Sequence, residues 1–278
     1  MIAEGEYINV RGFKVHVLRE GKGEKALLLL HGLPGFCYDY RKILRLLKNK
    51  FRLYAIDFKG FGHSEKRGDW ALEEFRCDVM AKEVIEIIEK LDLKRFAIVG
   101  HDIGSIISQL VSQELNCESV LINPAYKGMR GRWRDIANEY WYIFFHQMPF
   151  AEKMIVENLR EYISYFLDHL AVKKFSEEEI DEYIKVYSEP YSVRSLLYWY
   201  RAYVKYFRWS DIGRIKARSL ILWSDSDPLF PIVWSDRLNE EFENYVLVAI
   251  PQAGHWPHIE QAEIVSKAIS DFYGPAGI

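Results

Sequence analysis

Short apolar runs alternate with longer amphipathic segments along most of this 278-residue chain. Residues 26–30 (ALLLL) and 119–122 (SVLI) are apolar almost throughout, which is typical of strands buried on both faces of a sheet. Residues 73–91 repeat apolar side chains with the spacing of a helix. These apolar positions are Phe75, Val79, Val84, Ile87, Ile88 and Leu91. The alternation indicates an α/β protein.

The pattern predicts eight strands, at residues 6–10, 13–19, 26–30, 52–58, 95–99, 119–122, 218–223 and 245–250. The predicted helices include 40–47, 73–91, 103–114 and 262–273, and residues 233–241 belong to the same alternation. The first two strands flank Arg11-Gly12 and are expected to form a hairpin. Because the later strands alternate with helices, we expect a mainly parallel sheet flanked by helices on both faces.

The pattern changes between residues 126 and 212. This stretch contains helical, aromatic-rich segments without a convincing strand, and the strand and helix alternation resumes after it. Aromatic residues make up 15% of the chain and are dense at 133–150 and 183–209, both within the stretch. We therefore predict a core formed by residues 1–125 and 213–278, with residues 126–212 inserted as a helical cap.

Composition and charge narrow the range of functions. Hydrophobic residues make up 49% and charged residues 28% of the chain, which is ordinary for a globular protein. The formal charge of -3 is spread along the chain, so we expect no nucleic acid and no anionic membrane as partners. Residues 1–6 lack a basic region followed by an apolar run, and no apolar stretch approaches the roughly 20 residues of a membrane span. We expect a cytoplasmic protein, and the sequence leaves open whether it forms a homodimer.

The three cysteines do not indicate a metal site or a redox motif. Cys37, Cys77 and Cys117 are widely spaced, without the paired spacing of zinc ligands. We expect them to be reduced and structural, and we expect neither a cofactor nor a metal.

The segment 100–104 (GHDIG) is the first candidate for chemistry. It lies between the predicted strand 95–99 and the predicted helix 103–114, so the chain turns sharply at Asp102. Glycines at 100 and 104 allow close backbone approach, and the start of the following helix offers N–H groups to a negative charge. From this motif alone, Asp102 is either a nucleophile or a residue that only caps the helix.

Over nearly its whole length the chain resembles the α/β-hydrolase family. The resemblance rests on the GHDIG turn, on residues 31–34 (HGLP), on residues 57–64 and on His255 near the C-terminus. It implies that Asp102 is the nucleophile and that His255 is the base that activates water. It also implies an oxyanion hole made by the backbone N–H groups of Leu33 and Ile103.

The acid that orients the histidine should follow the strand 218–223. The loop there offers Asp225 and Asp227, and Asp227 matches the family's usual position just before a proline-containing turn. Asp225 is then expected to stabilise the loop. Some relatives carry the acid after the preceding sheet strand, but that position is about Asn123 here, and an amide cannot compensate an imidazolium charge.

Aspartate, in a place where most of the family has serine, restricts the substrate. A carboxylate that attacks an ester carbonyl would form an unstable mixed anhydride, whereas attack on a saturated carbon gives an alkyl ester that water can hydrolyse. The substrate is therefore expected to be an epoxide or a compound with a carbon–halogen bond.

The predicted cap favours the epoxide. Epoxide hydrolases of this fold use two cap tyrosines as donors to the ring oxygen. Residues 197–202 (LYWYRA) resemble their Asn-Trp-Tyr-Arg motif, with Tyr198 in place of the Asn and Tyr200 as the donor. Residues 140–149 (YWYIFFHQMP) resemble the segment that carries the first tyrosine. Alignment on Pro149 selects Tyr142, and a shift of one residue would select Trp141. Aromatic residues at helical spacing are also common in a core.

Dehalogenases of this fold resemble the chain as well. Haloalkane dehalogenases place a tryptophan directly after the nucleophile and often an asparagine in the His-Gly-x-Pro turn, where this chain has Ile103 and Leu33. Fluoroacetate dehalogenases, which act on a haloacid, hold its carboxylate with arginines after the nucleophile, and residues 103–107 (IGSII) contain none.

We thus predict cofactor-free hydrolysis of a small hydrophobic epoxide to a diol, in a pocket between core and cap. The side chains expected to line it are Phe36, Trp141, Tyr142, Phe145, Tyr200 and Trp256. A dehalogenase is the alternative enzyme, and a ligand receptor without catalysis is the alternative of another class.

Overall fold

One eight-stranded sheet forms the centre of the computed structural model, which describes residues 5–274. Its strands are β1 (Glu6–Val10), β2 (Phe13–Glu20), β3 (Ala26–Leu30), β4 (Arg52–Ile56), β5 (Phe96–Asp102), β6 (Glu118–Pro124), β7 (Ser219–Ser224) and β8 (Tyr245–Ile250). They lie in the order β1-β2-β4-β3-β5-β6-β7-β8. The hairpin β1–β2 and the pair β2–β4 are antiparallel, and the other neighbours are parallel. The predicted mainly parallel sheet is confirmed.

The central strands are apolar because both of their faces are covered. All five residues of β3 are buried, and so are the residues of β7. Six of the described α-helices lie in the parts of the chain that contain the strands, before Pro124 and after Ser219, and α4 to α8 lie between these parts. The six are α1 (Arg41–Leu47), α2 (Cys77–Lys90), α3 (Ile103–Leu115), α9 (Leu238–Glu241), α10 (Pro257–Glu260) and α11 (Ala262–Tyr273). Residues 232–241, near the predicted 233–241 segment, form a 3-10 helix (Ile232–Arg237) followed by α9.

Between β6 and β7 the described chain is helical and contains no strand. Its helices are α4 (Trp141–Phe145), α5 (Ala151–Glu157), α6 (Leu159–His169), α7 (Glu177–Tyr187) and α8 (Ser192–Tyr206). We call the residues between β6 and β7 the helical insertion. Its division from the core at residues 125/126 and 212/213 stays a prediction.

Residues 1–4, on which part of the prediction about a targeting signal rests, lie outside the described range. Within that range, no helix combines the length and the apolar character that crossing a membrane requires.

Candidate active site

Asp102 is the last residue of β5 and directly precedes α3. Its backbone has φ +50° and ψ −118°, a conformation that non-glycine residues rarely adopt and that stores strain. A Cβ on Gly100 would lie 2.3 Å from the carbonyl oxygen of Gly104, and a Cβ on Gly104 would lie 2.4 Å from that of Leu30. The two glycines are thus needed for close packing at the turn that holds Asp102.

The carboxylate of Asp102 does not cap α3. No capping hydrogen bond forms from this side chain, so the hypothesis that Asp102 only caps the helix is wrong. Its Oδ2 accepts a hydrogen bond from the backbone N–H of Leu33 at 3.0 Å, and the N–H of Ile103 is near enough to lower the pKa of the carboxyl. The structure therefore brings the two predicted oxyanion donors to Asp102. Burial raises the pKa of the carboxyl above its usual 3.8, while His255 and these N–H groups oppose the rise.

His255 faces Asp102 on one side and Asp227 on the other. Its Nδ1 donates to Oδ2 of Asp227 at 2.8 Å, which leaves the lone pair on Nε2, and Nε2 lies 3.9 Å from Oδ1 of Asp102. The second oxygen of Asp227 accepts from the N–H groups of Leu229 and Phe230 at 2.8 and 3.2 Å. Burial alone would lower the pKa of His255, and the Asp227 carboxylate outweighs it, so the pKa lies above 6.5.

The other acidic candidate plays a different part. Asp225 is exposed, accepts from the hydroxyl of Ser226 at 2.8 Å and from the N–H of Gln252 at 3.2 Å, and makes no contact with His255 that the structure records. It stabilises the loop, as expected, while Asp227 contacts the histidine.

Three buried side chains, of which sequence reasoning missed only Glu260, hold the loop of His255 in place. The Asn123 amide donates to the carbonyls of Gly254 and His255 at 3.0 and 3.2 Å. The His255 carbonyl also lies 2.7 Å from Nε2 of His101. The Glu260 carboxylate accepts from the N–H of Gly254 at 3.0 Å. Asn123, considered above only as a position that could carry the acid, lies near the carboxyl end of β6, while nothing in the sequence marks Glu260.

A cavity of ≈ 360 Å³ lies above Asp102, between the sheet and the helical insertion. We call it the main cavity, and apart from Asp102 and Arg130 it is mostly apolar and aromatic. Its lining includes Ile103, Ile106, Met129, Tyr142, Ile143, Trp199, Tyr200, Tyr203, Phe230 and Trp234. A second space of ≈ 10 Å³, the small cavity, also touches Asp102. Its lining includes Leu33, Tyr142, Tyr162, Tyr200 and His255.

Two of the six predicted pocket residues line both cavities, namely Tyr142 and Tyr200. The lining of neither cavity contains the other four, Phe36, Trp141, Phe145 and Trp256. Phe36 is buried beneath the insertion, edge to face with Tyr183, and Trp256 is fully buried against Phe175.

Trp141 and Phe145 turn away from the cavities. Trp141 is 37% exposed and its Nε1 donates to the hydroxyl of Tyr165 at 3.3 Å, while Phe145 packs on Trp141 with 5.7 Å between ring centroids. Successive residues of a helix point about 100° apart, so Trp141 faces away from the cavities that Tyr142 lines. Tyr142, not Trp141, lines both cavities beside Asp102.

The phenols of Tyr142 and Tyr200 make no hydrogen bond with any described residue, and their ring centroids lie 5.5 Å apart. Burial raises the pKa of each phenol well above its usual 10, and the nearby Asp102 charge adds to the effect. Both phenols therefore stay protonated and can donate to a ligand in the cavity.

Another buried cluster joins His16, Cys37 and Asp57, whose ligand atoms lie within 4.8 Å of one another. The Asp57 carboxylate already accepts from Nδ1 of His16 at 2.8 Å and from the N–H of Cys37 at 2.6 Å. Burial raises the pKa of the Cys37 thiol well above 9, which makes it a poor metal ligand. We interpret the cluster as structural, in keeping with the expectation for Cys37.

Comparison with known proteins gives the family. The profile described as the alpha/beta hydrolase family matches residues 27–268, so the chain belongs to that family. It is 28% identical to the soluble epoxide hydrolase of Corynebacterium sp. (strain C12), over 96% of each chain. It is 25% identical to epoxide hydrolase 4 of Homo sapiens, over 96% of this chain and 78% of the relative.

A solved structure described as epoxide hydrolase CorEH without ligand has the same fold. The TM-score is 0.85, the identity is 23%, and the match covers 99% of each chain. The prediction of an α/β-hydrolase-fold enzyme that resembles epoxide hydrolases is confirmed.

Proposed function

We propose that this protein hydrolyses an epoxide to a vicinal diol through a covalent ester on Asp102. The observation that carries the proposal is the pair of unpartnered phenols, Tyr142 and Tyr200, that line the same cavities as the Asp102 carboxylate. An epoxide needs both a nucleophile for its carbon and a donor for its oxygen. Two neutral phenols opposite a carboxylate supply this combination.

In the first step, Oδ1 of Asp102 attacks an epoxide carbon and the carbon–oxygen bond breaks. Oδ2 is the oxygen that accepts from Leu33, so Oδ1 is the freer nucleophile. The ring oxygen takes the departing electron pair and a proton from one of the two phenols, Tyr142 or Tyr200, while the other phenol donates a hydrogen bond to it. One phenolate is left behind. The enzyme then carries a hydroxyalkyl ester on Asp102.

In the second step, Nε2 of His255 removes a proton from water, and the water oxygen adds to the ester carbonyl carbon. The charge that develops on the carbonyl oxygen is stabilised by the N–H groups of Leu33 and Ile103. The imidazolium is stabilised by the Asp227 carboxylate at 2.8 Å. When the tetrahedral intermediate collapses, the bond between the carboxyl carbon and Oδ1 breaks and the imidazolium protonates the leaving alkoxide, which gives the diol. The proton left on the Asp102 carboxyl returns to the phenolate.

The cavity indicates the kind of epoxide. Ile103, Ile106, Met129 and Trp234 offer apolar surface along the main cavity, and a volume of ≈ 360 Å³ suits a small hydrophobic molecule. The similarity to proteins named epoxide hydrolases agrees with this substrate class. At position 103, next to the nucleophile, isoleucine offers no donor to a leaving halide.

His255→Gln tests the covalent step. The variant should still form the ester but fail to activate water, so the alkyl-enzyme should accumulate to about one equivalent on incubation with styrene oxide. Mass spectrometry of the peptide that contains Asp102 would detect it. In the wild-type enzyme, a single turnover in oxygen-18 water should label the Asp102 carboxylate and leave the diol unlabelled. A labelled diol in that turnover, with no adduct in His255→Gln, would exclude Asp102 as the nucleophile.

A substrate panel separates the alternatives. We expect turnover of styrene oxide to exceed turnover of a bromoalkane and of a p-nitrophenyl ester. Bromide release with inert epoxides would favour the dehalogenase. Asp102→Ala that keeps full ligand affinity and full biological activity would favour a receptor.

A further inference from the structure

A third tyrosine lines the small cavity next to the reacting groups. Tyr162 lies on α6, and the small cavity that it lines also touches Asp102, Tyr200 and His255. The sequence motifs do not include it, and the two-step reaction described above gives it no role. Its hydroxyl contacts Nε2 of His146, a buried histidine one helical turn after Tyr142.

His146 is neutral at any ordinary pH. Burial, helped by the Arg201 charge, lowers the pKa of His146 to about 3. A neutral imidazole has one N–H and one lone pair, so the hydrogen bond with Tyr162 can run in either direction. If His146 donates, the Tyr162 hydroxyl proton stays free, and if Tyr162 donates, the N–H of His146 stays free.

The surroundings of Nδ1 select the direction. Nδ1 of His146 is sealed from solvent and has no partner among residues 5–274. A buried N–H without an acceptor is rarer in proteins than an acceptor that lacks a donor, so Nδ1 carries the lone pair. Nε2–H of His146 then donates to the oxygen of Tyr162. The proton of the Tyr162 hydroxyl, which has no acceptor of its own in the described chain, is left to point into the small cavity.

The size of the small cavity fits one water molecule. Its volume of ≈ 10 Å³ is about the space that the centre of a single water needs. His255, the base for water, borders this space, and the 3.9 Å between its Nε2 and Oδ1 of Asp102 is too long for a direct hydrogen bond. A water at this point can reach both the base and the carbon that it must attack.

We propose that Tyr162 binds the hydrolytic water in the small cavity, with His146 as the positioning residue that fixes the orientation of its hydroxyl. The proposal rests on the proposed function, because it concerns the second step. The hydroxyl of Tyr162 donates to the water oxygen, which turns a water proton towards His255. The three tyrosines then serve different steps, since Tyr142 and Tyr200 donate to the ring oxygen in the first step and Tyr162 donates to the water in the second.

The two half-reactions give the test. With styrene oxide as the probe, rapid quenching and intact mass measure how fast the alkyl-enzyme forms and how fast it decays. Tyr162→Phe should slow the decay roughly tenfold, the effect of one lost hydrogen bond, and leave formation within about twofold of wild type. His146→Phe should slow the decay in the same direction. Unchanged formation also shows that each variant is folded.

Tyr165→Phe is the matched control, because it removes a hydroxyl from the same helix outside both cavities. Both of its rates should equal those of wild type. Decay of the Tyr162→Phe adduct at the wild-type rate would overturn the inference, and so would an equal slowing of formation and decay. Failure of the proposed function looks different, since no adduct would then form in any variant, including His255→Gln.

Discussion

At the scale of single residues, substitution of Tyr200 gives the most direct test of the proposed chemistry. Its ring centroid lies 4.4 Å from that of His146 and 5.5 Å from that of Tyr142, so its position is fixed by packing. Tyr200→Phe keeps this packing and removes one donor. Loss of one such donor should cost about 2–4 kcal/mol, or roughly 30- to 1,000-fold in the rate of ester formation. Pre-steady-state quenching with styrene oxide would measure that rate.

The control for Tyr200→Phe is Tyr198→Phe on the same helix. The Tyr198 ring packs on Phe75 at 5.7 Å, outside both cavities, so its ester formation should match wild type. Hydrolysis of the ester already formed should change little in Tyr200→Phe. An unchanged rate of ester formation in Tyr200→Phe would remove this phenol from the mechanism.

Sequence reasoning identified the residues that lie at fixed points of the backbone. Asp102 ends β5, while Leu33 and His255 lie in the loops after β3 and β8, and parallel strands bring these carboxyl ends to one edge. Side-chain direction within the insertion was harder to predict, because adjacent helical positions point apart. Phe36 and Trp256 show the remaining problem, since an aromatic side chain near a site is as readily used for the core as for the pocket.

At the scale of elements, the turn from β5 to α3 depends on Gly104. A Cβ there would lie 2.4 Å from the carbonyl oxygen of Leu30 and 2.6 Å from that of His31, and backbone atoms of a buried strand cannot yield easily. Gly104→Ala should therefore lower the free energy of unfolding by about 2–4 kcal/mol and shift Asp102. Urea denaturation and the rate of ester formation would report the two effects.

A matched glycine exists outside the turn. Gly213 is exposed, and a Cβ there would approach only the Gln113 side chain, at 3.3 Å. Gly213→Ala should leave stability within about 0.5 kcal/mol of wild type. Equal stability of the two variants would mean that helix α3 can move away from β3, and the close approach would then not be what requires glycine.

The sheet was easier to predict than the insertion because most of its strands appear in the sequence as short apolar runs. A short run that is apolar throughout, such as β3, is typical of a strand buried on both faces of a sheet. The observed bounds of β3 are those predicted. The helices of the insertion lack such a signal, and their ends depend on local contacts. Ser176, for example, starts α7 by accepting from the N–H of Glu179 at 3.2 Å, and the same Glu179 pairs with Arg41 of the core.

At the scale of the whole molecule, a buried carboxyl group joins the insertion to the sheet. Asp39 lies in the segment before α1, and its Oδ1 accepts a hydrogen bond from the Tyr183 hydroxyl of α7 at 2.6 Å. Its Oδ2 is buried without a partner among residues 5–274. Burial raises the pKa of Asp39 from 3.8 to about 7, although Tyr183 and Arg41 oppose the rise and Asp57 adds to it.

The sign of the pH dependence follows from this shift. Because the folded state holds the proton more tightly than the unfolded state, the contribution of Asp39 to stability is fully present below pH 4 and is lost as the pH rises through about 7. A shift of this size corresponds to at most about 4 kcal/mol. Removing the ionisation should therefore matter at pH 8 and not at pH 4.

Asp39→Asn keeps an oxygen that can accept from Tyr183 and cannot ionise. Near pH 4 we expect its free energy of unfolding to equal that of wild type. The difference should grow as the pH rises to 7 and should reach about 2 kcal/mol in favour of the variant at pH 8. Urea denaturation at several pH values would measure the difference. Asp69→Asn, at an exposed aspartate, should stay within about 0.5 kcal/mol of wild type throughout. A difference for Asp39→Asn that does not grow with pH would mean that Asp39 is charged in the folded protein at pH 5, and that Tyr183 and Arg41 fully offset its burial.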